Sequence, residues 1–407
     1  MYQNLALLAA FVLVYSAIAG AVERSWVSDP IVFCGFGLLI GPVGFDLFSW
    51  QSDRETIRSL AELTLALVLF TDAASVDTAK LKRAPGLPVR LLLIGLPLTI
   101  LLGFGVGMLL VDDVSPFALA LLATMLAPTD AALGKGVVTN ELVSEDIRQG
   151  LNVESGLNDG ICVPILFLFL ALALGEAGEG HPWGLAVALV VEAIGIGAGV
   201  GVALTLAAAW LLRFAWRHGW VTHTWIQIPV LALALGCFAT AQLLGGSGFI
   251  AAFIGGALFG YLAKREREAL LRAAEGIGDT LALITWVIFG AAVVAKAVIS
   301  FNWLILLYAV LSLTLIRMLP VFISLIGSGL DTEGKLFVGW FGPRGLASVV
   351  FAVIVLDSGL PSSGPIATTV ACTIVLSIIA HGITANVWAR SMGERRRKAL
   401  HVAPTPD

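Results

Sequence analysis

The chain has 407 residues, of which 58% are hydrophobic and only 13% are charged, and its mean hydropathy is +0.95. These values exclude a water-soluble globular domain and predict an all-α polytopic membrane protein. The formal net charge is −4 and the basic residues form no continuous stripe, which argues against a nucleic-acid partner.

Apolar windows of the length needed to cross a bilayer predict about thirteen transmembrane helices. Their predicted starts, in chain order, lie near Asn4, Pro30, Ser59, Val89, Ser115, Ile147, Trp183, Thr224, Ser247, Ile277, Asn302, Lys335 and Pro365. The first helix is interpreted as uncleaved, because no Lys or Arg precedes its apolar core as it would in a signal peptide. The four cysteines fall in apolar runs without metal-site spacing and are interpreted as free packing thiols, with no cofactor expected: Cys34, Cys162, Cys237 and Cys372.

The distribution of Lys and Arg predicts the orientation in the membrane. Most of the 24 basic residues fall in odd-numbered loops and in the C-terminal tail, whereas the even-numbered loops hold only Arg54, Arg58 and Lys296. Cytoplasmic loops are enriched in Lys and Arg. We therefore expect a cell (inner) membrane protein whose N-terminus is outside and whose C-terminus is cytoplasmic.

Two predicted helices contain a break near mid-membrane. Helix five runs apolar to Ala127 and then meets Pro128, Thr129 and Asp130, and helix twelve contains the Gly-Pro-Arg-Gly sequence of residues 342–345. The breaks hold corresponding positions if the chain consists of two inverted six-helix repeats, 1–180 and 221–392, a linker helix, 181–220, and a short basic cytoplasmic tail, 393–407. Paired Gly/Pro interruptions that cross at mid-membrane mark a transporter's substrate site, and two ordinary proline kinks are the alternative.

Carboxylates and hydroxyls around the breaks form the candidate site. At about 1.5 Å per residue, Asp130 and Asp159 both reach mid-membrane, where a carboxylate indicates a functional site. On helix six, Ser155 and Asp159 share one face at i, i+4 spacing, while Glu154 and Asn158 share the neighbouring face. Oxygen ligands suit a small hard cation, and burial beside a like charge also favours the protonated carboxyl. Cation and proton would then compete for one site.

Alternatives remain for single residues. Asp159 is alternatively a carboxylate neutralised by a basic partner, for which Lys135, Arg317 and Arg344 are available. Helix–helix hydrogen bonding is the alternative for Ser155 and for Thr129.

Glu154 requires a separate interpretation, because a second charge beside the site is costly unless it is paired. Arg344, in the break of helix twelve, is its predicted partner, and Asn158 would add neutral hydrogen bonds. The alternative is that Arg344 binds the carbonyl end of a helix. If Glu154 is offset in this way, one cation and one proton neutralise the site equally, which predicts electroneutral one-for-one exchange.

Three motifs together resemble a known family: Thr129-Asp130, residues 154–160 (ESGLNDG) and residues 341–345 (FGPRG). They resemble the NhaP-type monovalent cation/proton antiporters, bacterial relatives of the eukaryotic sodium/hydrogen exchangers, over essentially all the predicted helices. The resemblance implies a homodimeric antiporter, not an enzyme, that exchanges sodium, or alternatively potassium, for a proton and serves pH homeostasis.

The resemblance also implies roles for single residues. Asp159 and Asp130 would carry the ion with Ser155 and Thr129. Asn158 would mark the electroneutral type, and Glu154 would pair with Arg344. The family commonly has a glutamate after a Leu-Phe pair in helix three, and the similar run here ends at Asp72, which suggests a role for Asp72 at the cytoplasmic entrance.

Many family members carry long cytoplasmic tails, and since this chain ends shortly after Arg390, we expect no regulatory domain. Two rival functions are a cation channel and an intramembrane aspartyl protease, whose Gly-x-Gly-Asp signature residues 156–159 faintly resemble. The Asn at position 158, where the protease signature has Gly, and the paired broken helices argue against the protease.

Overall fold

The computed structural model describes residues 2–22, 25, 27–47, 54–76, 86–111, 113–130, 133, 137, 143–177, 183–222, 225–263, 267–299 and 302–402. Every regular element within these ranges is a helix. Gly134, Lys135 and Gly136, which follow the predicted break of helix five, lie outside the described residues, as do the basic residues Arg24, Lys80, Lys82, Arg83, Lys264 and Arg265.

The helices are α1 (Tyr2–Val22), α2 (Asp29–Ile40), α3 (Arg54–Ser75), α4 (Gly86–Leu110), α5 (Pro116–Met125), α6 (Glu145–Ala177), α7 (Trp183–Arg217), α8 (Ile228–Leu243), α9 (Gly248–Ala263), α10 (Arg267–Phe289), α11 (Trp303–Ser324), α12 (Thr332–Trp340), α13 (Leu346–Asp357) and α14 (Ser363–Val402). Helix α10 continues through a π-helical turn to Ile299. In the described part of the chain, seven helices are long and apolar enough to cross a membrane. The prediction of an all-α membrane protein is confirmed, and the count of thirteen crossings stays a prediction.

Most predicted helix starts lie within a few residues of the observed ones. The largest difference is α10, which begins at Arg267 and not near Ile277. Its first turns carry Arg267, Arg272 and Glu275, so an apolar window does not register them although they continue the helix. At the other end of the chain, α14 extends to Val402, so the predicted tail begins as a continuation of the last helix.

Helix α3 packs against α6, α8, α9, α10 and α13 and lies at the centre of the bundle. Glycines permit the closest of these contacts. A Cβ at Gly256 or Gly260 of α9 would collide with the backbone carbonyls of Phe70 and Ala74 in α3, so the two helices pack backbone to backbone. The four cysteines are free thiols, as predicted.

The chain leaves helical geometry at both predicted break positions. Helix α5 ends at Met125 and residues 128–130 are not helical, while α12 ends at Trp340 and α13 begins only at Leu346. Prolines at 128 and 343 lack the N–H that a continuing helix requires. The two breaks touch, because the Asp130 N–H donates a hydrogen bond to the Pro343 carbonyl at 2.8 Å.

Candidate functional site

The Asp130 carboxylate lies at the N-terminal end of α13. Its Oδ2 accepts a hydrogen bond from the Leu346 N–H at 3.1 Å, and Leu346 is the first residue of that helix. Gly345 makes this approach possible, since a Cβ at that position would collide with the carboxylate. A helix N-terminus carries partial positive charge and unsatisfied N–H groups. Asp130 therefore compensates the N-terminal end of α13.

Arg344 makes the opposite contact at the end of α5. Its guanidinium is fully buried. Nη1 donates to the carbonyls of Ala127 at 2.9 Å and Pro128 at 3.2 Å, and Nη2 donates to the carbonyl of Ser312 at 3.4 Å. Because a helix C-terminus presents free carbonyls and partial negative charge, this cation compensates α5. Each broken segment thus carries a charged side chain that compensates the partial charge at the helix end of the other segment.

The predicted Glu154–Arg344 bridge is wrong, because Glu154 pairs with Arg317 of α11. Arg317 Nη1 and Nη2 lie 2.7 and 2.9 Å from the Oε1 and Oε2 atoms of Glu154, and both residues are 1% exposed. This bidentate fork is the strongest geometry for such a pair. The alternative for Arg344, binding to carbonyl ends, is what the structure shows.

The packing of the helices explains why Glu154 pairs with Arg317 and not with Arg344. The space beside Gly342 is filled by the Arg317 guanidinium, with which a Cβ at Gly342 would collide. The sequence identified Arg317 as an available basic residue, but the position of Arg344 inside a break favoured Arg344. Nothing in the spacing indicates that α11 brings Arg317 to helix α6.

Helix α6 fixes Thr129 through two hydrogen bonds. The Ser155 hydroxyl donates to the Thr129 carbonyl at 2.8 Å, and the Asn158 side-chain amide donates to the Thr129 hydroxyl at 2.7 Å. Asp159, on the same helix, is 8% exposed, and its Oδ1 has no hydrogen-bond partner among the described residues. The predicted site residues are therefore brought together, and one Asp159 oxygen accepts no hydrogen bond from the residues that the structure describes.

Asp72 joins this group from α3. The backbone carbonyl of Asp72 lies against Gly156 of α6, and its carboxylate is within electrostatic reach of Asp130 and Asp159. Glu275 of α10 is also within reach of Asp72. Sequence reasoning missed Glu275, and the signal that could have identified it is the charged, amphipathic start of α10.

A further residue that sequence reasoning missed is Phe253 of α9. Its ring lies directly on Gly160, the residue after Asp159, with no room for a Cβ between them. An apolar ring in an apolar helix carries no signal in the sequence, so only the packing identifies it.

A family model described as "Sodium/hydrogen exchanger, transmembrane" matches residues 7–390. Among curated proteins, the chain is similar to the K(+)/H(+) antiporter NhaP2 of Shewanella oneidensis, with 24% identity over 362 residues, 88% of this chain and 62% of that protein. It is also similar to a Na(+)/H(+) antiporter of Saccharomyces cerevisiae, with 24% identity over 353 residues, 82% of this chain and 35% of that protein. It thus spans less than two thirds of the length of these two relatives.

Among solved structures, the fold is similar to that of the sodium proton antiporter MjNhaP1 from Methanocaldococcus jannaschii at pH 8. The TM-score is 0.78 at 22% identity, over 94% of this chain and 98% of that chain. A likeness at this level of identity shows that the two chains share a fold.

Proposed function

Because the chain belongs to the sodium/hydrogen exchanger family, we propose that it is a membrane transporter, not an enzyme, that exchanges a monovalent cation for a proton by alternating access. The observation that carries the proposal is the buried Asp159 carboxylate, which lies beside the crossing of two broken segments and whose Oδ1 has no hydrogen-bond partner within the described part of the chain. Broken helices that meet near mid-membrane are a recurring site architecture in transporters.

The proposed cation site consists of Asp159, Ser155 and Thr129 with Asp130, and Asp72 completes it from α3. These residues offer carboxylate, hydroxyl and carbonyl oxygens, which a hard cation prefers. A proton binds the same Asp159 carboxylate, so the two substrates exclude each other. Asp130 contributes mainly as the fixed charge at the α13 N-terminus, since the Leu346 N–H already occupies its Oδ2.

The charges around the site support a one-for-one, electroneutral exchange. Glu154 is neutralised by Arg317, and Asp130 and Arg344 are opposite charges held at the same crossing. One bound cation or one bound proton then adds the same charge to Asp159. The empty site is the state that is costly to carry across the bilayer.

We propose sodium as the cation. Potassium is the second candidate, because the name of the Shewanella relative describes a K(+)/H(+) antiporter.

The proposed setting is a homodimer in the cell (inner) membrane with the N-terminus outside and the C-terminus cytoplasmic. The proposed repeats, 1–180 and 221–392 around the linker helix 181–220, are supported by the contact between the break after α5 and the break before α13.

The test is dissipation of a pH gradient in proteoliposomes on addition of sodium, lithium or potassium. We expect wild-type protein to collapse the gradient with sodium and Asp159→Asn to leave it intact. The proposal is overturned if no alkali cation drives proton movement through the wild-type protein, or if the variant equals it.

A further inference from the structure

His381 is a buried histidine of α14 that lies beside the break between α12 and α13. It is 2% exposed, and its Nε2 is 2.7 Å from the carbonyl oxygen of Trp340, the last residue of α12. That carbonyl also accepts the N–H of Gly342. Carbonyls at a helix C-terminus lack intrahelical partners, and a histidine is among the side chains that bind them.

Both ring nitrogens of His381 lie against carbonyl oxygens, Nε2 at 2.7 Å from that of Trp340 and Nδ1 at 2.8 Å from that of Ser377, and a carbonyl only accepts. In the neutral tautomer that carries its proton on Nε2, this nitrogen donates to the Trp340 carbonyl and Nδ1 accepts from the Ser377 hydroxyl at 3.2 Å. The same hydroxyl accepts the backbone N–H of Arg344 at 2.8 Å.

These bonds form a chain across the break. It runs from the Arg344 N–H to the Ser377 hydroxyl, from there to His381, and from His381 to the Trp340 carbonyl. The chain holds both ends of residues 341–345 on α14. A buried chain of this kind is specific in geometry, because each member leaves a costly unpaired group if it is removed.

The break in turn positions the proposed ion site. The Arg344 guanidinium binds the carbonyls of Ala127 and Pro128, and the N–H of Leu346 binds Asp130. A shift of the break therefore moves the segment that includes Thr129 and Asp130.

We propose that His381 is a positioning residue for the cation site. It sets the distance between the Thr129-Asp130 segment and Asp159 by holding the α12–α13 break, and it does not touch the ion. This inference rests on the proposed function for its transport readout. Its structural readout is independent of transport.

The experiment compares three variants with the wild-type protein in proteoliposomes. His381→Asn replaces the ring by an amide that is too short to reach Trp340, whereas the longer amide of His381→Gln places a donor close to the position of Nε2. Thr384→Val is the matched control, since it removes the bond from the Trp340 indole N–H to the Thr384 hydroxyl, which joins the same two helices through the Trp340 side chain and leaves the Trp340 carbonyl bound to His381.

We expect His381→Asn to raise the KM for sodium about fivefold, the factor expected for the loss of one buried hydrogen bond. His381→Gln should restore a KM near the wild-type value, and Thr384→Val should leave it unchanged. A residue that only stabilises the fold would lower the yield of active protein but leave KM the same.

Hydrogen–deuterium exchange supplies the readout that does not depend on transport. We expect faster exchange at residues 341–346 and 127–130 in His381→Asn than in the wild-type protein or in Thr384→Val. Unchanged exchange at both segments overturns the inference, whatever the transport result. If wild-type vesicles show no cation-driven proton movement, the proposed function has failed, and the exchange data alone decide the positioning role.

Discussion

Asp159 and Asp130 differ in what their carboxylates contact, and this difference has a testable consequence. Asp159 has an oxygen without a partner in the described chain, while Asp130 caps the N-terminus of α13. Asp159→Asn should abolish exchange and leave the unfolding temperature close to that of the wild-type protein. Asp130→Asn should abolish exchange and also lower stability by about 1 kcal/mol, because a charged cap becomes neutral. Thermal unfolding of both purified variants, together with exchange assays, checks this prediction, and equal stabilities would contradict the capping role.

The Glu154–Arg317 pair permits a rescue experiment. Arg317→Ala leaves a buried unpaired carboxylate and should cost about 3 to 5 kcal/mol of stability. A Glu154→Gln, Arg317→Gln double variant should recover part of this loss, whereas Glu154→Gln should not rescue Arg344→Ala. Denaturation of the set measures the coupling. If replacing Glu154 rescued the loss of Arg344 but not the loss of Arg317, the result would contradict the Glu154–Arg317 pair and support the Glu154–Arg344 bridge expected from the sequence.

At the scale of single elements, Gly345 allows the break and Asp130 to approach each other. A Cβ there collides with the Asp130 carboxylate, so Gly345→Ala should displace the start of α13 and cost about 1 to 3 kcal/mol. Gly364, near the start of α14, is the control, since a Cβ there meets no atom of the described residues within 4 Å. Thermal unfolding and transport should both decline in Gly345→Ala and neither in Gly364→Ala. Equal behaviour of the two variants would refute the close contact.

The positions of the helices and of their breaks were the most predictable features of this chain, and the partners of its side chains were the least predictable. Long apolar runs and the prolines at 128 and 343 locate helices and breaks because both act locally on the backbone. The partner of Glu154 was not predictable, because Arg317 and Arg344 are both basic residues in apolar surroundings and only helix packing distinguishes them. The start of α10 was misplaced because its charged first turns belong to a helix that hydropathy alone does not detect.

At the scale of the whole molecule, charge balance determines the response to voltage. One cation exchanged for one proton moves no net charge, so clamping the membrane potential should leave the exchange rate in proteoliposomes unchanged. If an inside-negative potential instead drives net cation movement, a second carboxylate titrates during turnover. Asp72 is then the residue to replace first, because it is within electrostatic reach of both Asp130 and Asp159.

Competition between cation and proton at Asp159 is the central claim, and the pH dependence of the apparent sodium affinity tests it most directly. The measurement is the KM for sodium in proteoliposomes over a series of pH values at a clamped potential. If one proton excludes one cation, the KM for sodium should rise about tenfold for each unit by which the pH is lowered, once the pH is low enough that Asp159 is mostly protonated in the absence of sodium. A KM that stays constant across the acidic range, while the maximal rate alone changes, would show that the two substrates do not share a site.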